Sequence, residues 1–221
     1  MTHSADQASA PPEPKPTWRG WLHTGMTPVV LVGGLVLLVL TPTVGGRLAA
    51  AVYVLSSLAL FGNSAFYHRG TWGDRAEAVL RRIDHANIYL FIAGTYTPLA
   101  AQLLEGTSRT VLLVLIWSLA LAGVTFRILW LSAPRWLYTA LYVGMGWTAL
   151  FWLVQFWLAG GPAVVILVAL GGLVYSYGAL VYARKRPNPA PGHFGFHEIF
   201  HACTVVAAAC HFAAICLATF G

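Results

Sequence analysis

Charged side chains are scarce in this sequence. Only 9% of its 221 residues are Asp, Glu, Lys or Arg, and 58% are hydrophobic, whereas a soluble globular domain carries about 25% charged residues. The mean hydropathy of +0.69 agrees with this imbalance, which is typical of an integral membrane protein. The net charge of +6 does not indicate nucleic-acid binding, because the basic residues lie between apolar segments and form no single patch.

Cysteine is also rare. The three cysteines all lie in the last apolar segment, and neighbours in the set are about 10 Å apart along a helix, too far for a disulfide. We detect no secretory signal peptide, because the first 20 residues are polar and rich in proline and contain no apolar core. We therefore expect residues 1–20 to form a disordered cytoplasmic tail, followed by a membrane domain at 21–221.

Seven apolar segments make up the rest of the chain. Each has about 20 residues or a little more, the length of a helix that spans a bilayer, and a backbone at that depth must satisfy its own hydrogen bonds. The sequence therefore predicts an all-α integral membrane protein, a bundle of seven transmembrane helices. The segments cover 25–44, 48–68, 84–104, 110–131, 136–158, 162–182 and 196–220.

The positions of Lys and Arg predict the orientation of this bundle. If the N-terminus is cytoplasmic, the inner gaps hold all 13 Lys and Arg residues except Arg47 and Arg109. The positive-inside rule then places the N-terminus in the cytoplasm and the C-terminus outside. This arrangement is opposite to that of G-protein-coupled receptors and argues against that class. We expect a multi-pass protein of the plasma membrane.

A pair of histidines opens the seventh segment. His197 and His201 stand at positions i and i+4, about 40° apart around a helix and roughly 6 Å apart along it, a spacing at which two imidazoles can bind one Zn²⁺ ion. The run also matches His-Glu-x-x-His, the zinc-protease motif in which Glu198 would be the general base. Glu198 lies about 100° from His197, so we expect it to face away from the site, toward the headgroups.

Other polar residues are predicted to reach the same depth as this pair. Ser64 and His68 end the second segment and Asp84 opens the third, so the predicted topology brings them to the inner side of the membrane, where the seventh segment begins. Polar residues inside spans are costly and are often functional. We assign His68, His197 and His201 as zinc ligands, Asp84 as a catalytic carboxylate or further ligand, and Ser64 as a catalytic hydrogen-bond donor.

Several of these histidines and carboxylates also have structural interpretations. His68 alone fits an interfacial side chain at a helix end, and Asp84 fits an N-cap of the third helix. We interpret His85 as structural and His193 as a solvated loop residue. His211 lies about 15 Å along the helix from the histidine pair, too far to bind the same ion, and fits either the wall of a cavity or a hydrogen bond to another helix.

The combined pattern resembles a known family. Ser64-x3-His68, then Asp84, then His197-x3-His201 resembles the hemolysin III family, which is related to the progestin and adipoQ (adiponectin) receptors and, more distantly, to alkaline ceramidases. The run 84–98 is also similar to the third helix of that family. The resemblance covers about residues 20–221. It implies seven membrane helices, an inner N-terminus and a Zn²⁺ ion held by three histidines.

The resemblance also implies an activity. At one place, however, this sequence departs from the family pattern. In the relatives that are understood, the zinc site is associated with hydrolysis of lipid amides such as ceramide. Relatives often carry an acidic residue and an asparagine shortly before a histidine at the start of helix 1, whereas Pro16 and Arg19 precede His23 here. The family pattern therefore assigns no role to His23.

Two function classes follow from the sequence. The first is a zinc-dependent intramembrane hydrolase of lipid amides, similar to a ceramidase, or of lipid esters, acting on a membrane lipid near the cytoplasmic face. The alternative is a non-enzymatic membrane protein with structural zinc, which senses lipid or perturbs membranes. We favour the lipid hydrolase over an intramembrane protease, because Asp84 already offers a carboxylate. We also favour both classes over a metal transporter, because polar residues outside the inner cluster are few.

Overall fold

The computed structural model describes residues 15–221, and the part of the expected tail at 1–14 lies outside this range. The prediction of an all-α protein is confirmed, since no strand occurs among the described residues. The helices are α1 (Trp21–Leu40), α2 (Val44–Arg69), α3 (Asp74–Leu103), α4 (Gly106–Leu129), α5 (Arg135–Gly146), α6 (Leu153–Arg184) and α7 (Phe196–Phe220), with a 3₁₀ helix at Trp147–Trp152 between α5 and α6.

Five helical stretches in the described part of the chain are long and apolar enough to cross a membrane. They are α1, α2, α4, the stretch Arg135–Arg184 and α7. Large apolar side chains cover the outer surface of the bundle, as at Phe151, which is 80% exposed, and Leu158, which is 79% exposed. A surface of this kind is stable against lipid chains and would be unfavourable in water.

The stretch Arg135–Arg184 is not one continuous helix. Gly161 has φ 75° and ψ −179°, a conformation that is essentially restricted to glycine. Pro162 follows and lacks the amide that a continuous helix would use. The break therefore lies where the sequence predicts the boundary between the fifth and sixth segments. The 3₁₀ helix lies within the predicted fifth segment.

Helix α3 begins ten residues before the predicted third segment. It starts at Asp74, with Asp74 and Glu77 in its first turn, where acidic side chains stabilise the helix dipole. The alternative interpretation of Asp84 as an N-cap is therefore wrong, because Asp84 lies well inside α3 and is buried.

Small residues bring neighbouring helices close together. A Cβ atom on Gly34 of α1 would lie 2.6 Å from Val54 of α2, and one on Gly178 of α6 would lie 2.7 Å from Cys203 of α7. Close approach of this kind supplies the van der Waals contact that holds helices together in lipid. The end of α2 and the starts of α3 and α7 lie at one end of the bundle, which we call the histidine end.

Candidate metal centre

Three histidines converge at the histidine end. His68, in the last turn of α2, meets His197 and His201, in the first turns of α7, and one ring nitrogen from each lies within 4.8 Å of the others. The Nε2 atoms of His68 and His197 are 3.3 Å apart. His68 and His201 are buried and His197 is half-buried. This group could bind a metal ion.

A carboxylate and a hydroxyl lie beside the three imidazoles. The Oδ2 atom of Asp84 is 3.7 Å from the Nε2 atom of His68. Ser64 is one turn before His68 on α2 and is buried. Asp84 and Ser64 line the same cavity as His201. The structure thus places all five of the residues assigned from the sequence at one end of the bundle.

A large apolar cavity leads away from these residues into the bundle. It has a volume of about 130 Å³ and continues past His211, so it follows α7 for roughly 15 Å beyond His201. The Nε2 atom of His211 is 3.2 Å from the carbonyl oxygen of Val168 on α6. His211 therefore both lines the cavity and contacts another helix. The cavity wall includes Leu60, Phe91, Leu99, Leu153, Phe156 and Val168.

A smaller cavity of about 30 Å³ also borders Asp84 and His201 and is lined by tyrosines of α5 and α6. His85 borders it, and Arg127 donates from Nη2 to Nδ1 of His85 at 2.6 Å. His85 also stacks on Tyr138 and lies outside the group of three histidines. These contacts agree with its structural interpretation.

Glu198 does not face the headgroups, so that prediction is wrong. Its side chain is buried, and its Oε1 atom accepts a hydrogen bond from Nε of Arg19 at 2.6 Å. Its Oε2 atom accepts from the amide of Gly195 at 2.8 Å, which caps α7. Both carboxylate oxygens are therefore engaged. The sequence could not reveal this pair, because Arg19 precedes Glu198 by 179 residues.

The segment before α1 crosses the histidine end. The amides of Thr17 and Trp18 donate to the carbonyls of Gly192 and His193, and Gly20, with φ 81°, packs against His68 so closely that a Cβ would lie 2.9 Å from that side chain. The last residues of the predicted tail thus form a turn that joins the ends of α2 and α7. His193 is exposed, in line with its interpretation as a solvated residue, and its Nδ1 atom is 3.0 Å from the hydroxyl of Thr17.

His23 also lies near the site, and the sequence gave it no role. It lies in the first turn of α1 and is only 2% exposed. Its ring is stacked on that of His201, with the centroids 3.8 Å apart and the planes inclined by 4°. The only signal in the sequence was the position of a histidine at the same end of the bundle.

Comparison with known proteins identifies the family. A family model described as haemolysin-III related matches residues 13–212. This chain belongs to the haemolysin III family. The predicted resemblance is thereby confirmed, and together with the apolar helices it makes the chain a multi-pass integral membrane protein.

Three relatives illustrate the range of similarity within and beyond that family. The chain is 36% identical to a hemolysin-3 homolog of Bacillus subtilis over 150 residues, which are 68% of this chain and 67% of the relative. It is 30% identical to hemolysin-3 of Bacillus cereus over 73% of this chain and 75% of the relative. It is 24% identical to the human monocyte to macrophage differentiation factor over 88% of this chain and 80% of that protein.

Proposed function

We propose that this haemolysin III family member is a zinc-dependent hydrolase of lipid amides or esters. One observation carries the proposal: three imidazole nitrogens and a carboxylate converge where a large apolar cavity ends. An apolar cavity that extends from these residues into the bundle suits an acyl chain. Under this proposal, the groups that carry out hydrolysis lie next to the point at which the polar end of that chain is bound.

The donor set fits zinc. Two nitrogens that each lie about 2.0–2.1 Å from a tetrahedral zinc ion are roughly 3.3 Å apart, and the Nε2 atoms of His68 and His197 are separated by 3.3 Å. Three neutral imidazoles leave a fourth position open, as catalytic zinc sites require. His68, His197 and His201 would hold the ion, which when bound polarises a carbonyl and supplies a nucleophile at neutral pH.

The other residues of the site would perform proton transfer and charge stabilisation. Asp84 takes a proton from the attacking water and returns it to the leaving amine or alcohol. The Ser64 hydroxyl donates a hydrogen bond to the oxygen on which negative charge develops. The walls of the cavity hold the acyl chain and exclude water, which strengthens both interactions.

The proposal includes an orientation. We count seven spans, with the fifth and sixth separated at Gly161, and place the N-terminus in the cytoplasm of a cell whose plasma membrane holds the protein. The positive-inside rule supports this choice. Lys15 lies at the histidine end, where its Nζ atom is 3.4 Å from the carbonyl of Gly70, which supports a metal centre near the cytoplasmic face.

Metal analysis and lipid profiling test the proposal together. The purified protein should contain about one zinc per chain, and His197→Ala should lose it. Asp84→Asn should keep the metal and lose lipid turnover in membranes. His193→Ala is the matched control, because His193 is exposed and only four residues before His197; it should retain metal and turnover. A wild-type protein without metal would contradict the mechanism.

The alternative is a structural metal. Its support is that the three histidines come from α2 and α7, so a metal would tie together helices that are distant in the chain. The Bacillus cereus relative is named a hemolysin, which adds membrane perturbation as a possible outcome of such a fold. An Asp84→Asn variant whose phenotype and lipid profile match the wild type would favour this alternative.

A further inference from the structure

His23 has an unusual environment for a buried histidine. Both of its ring nitrogens are buried, and neither has a hydrogen-bond partner among residues 15–221. Buried polar atoms normally have such partners, and a leucine would fill the same space at a lower cost. Hydrogen bonding therefore does not explain the presence of this side chain, and its ring contacts are the remaining candidates.

The ring of His23 lies between two other rings. One face is parallel to His201 at a centroid distance of 3.8 Å. The contact with Phe61 is edge-to-face, with the ring centroids 5.0 Å apart and the ring planes inclined by 86°. Phe61 is itself fully buried and packs edge-on against Phe91 of α3. The plane of His23 is thus fixed by the core, and His23 in turn contacts the whole face of His201.

Metal-binding histidines usually have their ring plane fixed by a hydrogen bond to the nitrogen that does not bind the metal. A flat ring stacked on one face can restrict the same rotation. Binding of a cation also draws electrons from an imidazole, which favours a neutral aromatic face against it. Imidazole is the smallest aromatic side chain, so it fits between Phe61 and His201.

We propose that His23 is a positioning residue that holds the ring plane of His201 by face-to-face stacking, so that its nitrogen is directed at the metal. This inference rests on the metal centre of the proposed function. It gives α1 a part in the site although α1 supplies none of the three ligands. It also predicts that metal binding depends on the aromatic ring of His23 and does not depend on its nitrogen atoms.

Three substitutions separate the ring from the nitrogens. His23→Leu removes the flat ring at similar volume, His23→Phe keeps an aromatic face without nitrogens, and His23→Asn keeps a polar side chain without an aromatic ring. Val30→Ala is the control, because Val30 is buried on α1 two turns from His23 and is not part of the site. Zinc affinity is measured by chelator competition, and the absorption spectrum of the Co²⁺-substituted protein reports ligand geometry.

We expect His23→Leu and His23→Asn to weaken zinc binding about 10- to 100-fold, the usual effect of losing a residue that supports a metal ligand, and to alter the Co²⁺ spectrum. His23→Phe is larger than the native ring but keeps an aromatic face, so it should retain more of the affinity and of the spectrum than His23→Leu, and Val30→Ala should change neither even if it melts earlier. Unchanged binding in His23→Leu would overturn the inference, as would retention in His23→Asn combined with loss in His23→Phe. A wild-type protein that binds no metal would instead remove the proposed function itself.

Discussion

The two parts of the large cavity differ in how their polar groups are used. Near the histidine end, the Nε2 atoms of His68 and His197 face each other, and the Asp84 carboxylate is 3.7 Å from His68. These groups remain available for a metal ion, a water molecule or a substrate.

Further along the cavity, most polar groups bond within the bundle, and the Tyr175 hydroxyl, beside His211, has no partner among the described residues. The Tyr96 hydroxyl donates to the carbonyl of Gly146 and accepts from the amide of Ala149. The Trp147 indole donates to Ser176 at 2.9 Å. Groups that are already paired hold helices together and leave an apolar surface for a chain. The comparison therefore separates chemistry at the histidine end from binding in the rest of the cavity.

Removing one of the three proposed metal ligands should have the largest effect on the chemistry at the histidine end. We expect His68→Ala to lose the bound metal and all lipid turnover, because two imidazoles cannot complete the site. Metal content of the purified protein and lipid profiles of the membranes measure both losses. Phe66→Ala, on the same turn of α2 but exposed, should retain both. Full metal occupancy in His68→Ala would show that His68 is not a ligand.

Breaking the Arg19–Glu198 pair should have the next largest effect. Arg19→Gln leaves a buried carboxylate without its counter-charge, which costs about 3 kcal/mol or more in protein stability. The melting temperature in detergent should fall, and Arg19→Gln combined with Glu198→Gln should recover part of the loss because the buried charge is gone. Arg75→Gln, at an exposed position of α3, is the control. Equal melting temperatures for Arg19→Gln and Arg75→Gln would contradict a structural role for the pair.

The Arg19–Glu198 pair also shows which contacts could not be predicted from the sequence. Helix periodicity and the costs of polar groups in lipid were sufficient to assign His68, His197 and His201 as one group, because the ends of successive spans must return to the same side. The positions of Arg19 and His23 depend on how a short segment before α1 turns across the bundle end. No periodic pattern encodes that turn, and the family pattern offered no guide because Pro16 and Arg19 depart from it.

The helix boundaries likewise include some that the sequence predicts and some that it does not. The limits predicted for the last segment coincide with those of α7, in which an apolar run extends beyond the histidine pair and glycines lie at both ends. The start of α3 was placed ten residues late, because its first turns are charged and exposed and do not look like a membrane span. A pattern of hydropathy finds the part of a helix that lies in lipid and misses the part that extends beyond it.

Narrowing the cavity should alter binding while leaving the metal in place. Ala169 lines the cavity on α6, and Ala169→Phe should shorten the space for an acyl chain. We expect a shift of roughly tenfold in kcat/KM toward shorter chains, since a pocket distinguishes one methylene by about 10-fold or more. Ala163→Phe, exposed on the same helix, should cause no shift. A loss of zinc in Ala169→Phe would show that the two parts of the cavity are not independent.

The contact between His211 and Val168 should give the smallest effect. His211→Leu removes a hydrogen bond between α7 and α6 while keeping an apolar side chain against Gly171. Hydrogen bonds between membrane helices average about 0.6 kcal/mol, so the melting temperature should fall only slightly and the metal content should not change. Thermal melts in detergent and metal analysis measure both quantities. If His211→Leu loses metal as His68→Ala is expected to, the separation of chemistry from binding along this cavity fails, because a residue roughly 15 Å along α7 from His201 would then control the metal centre.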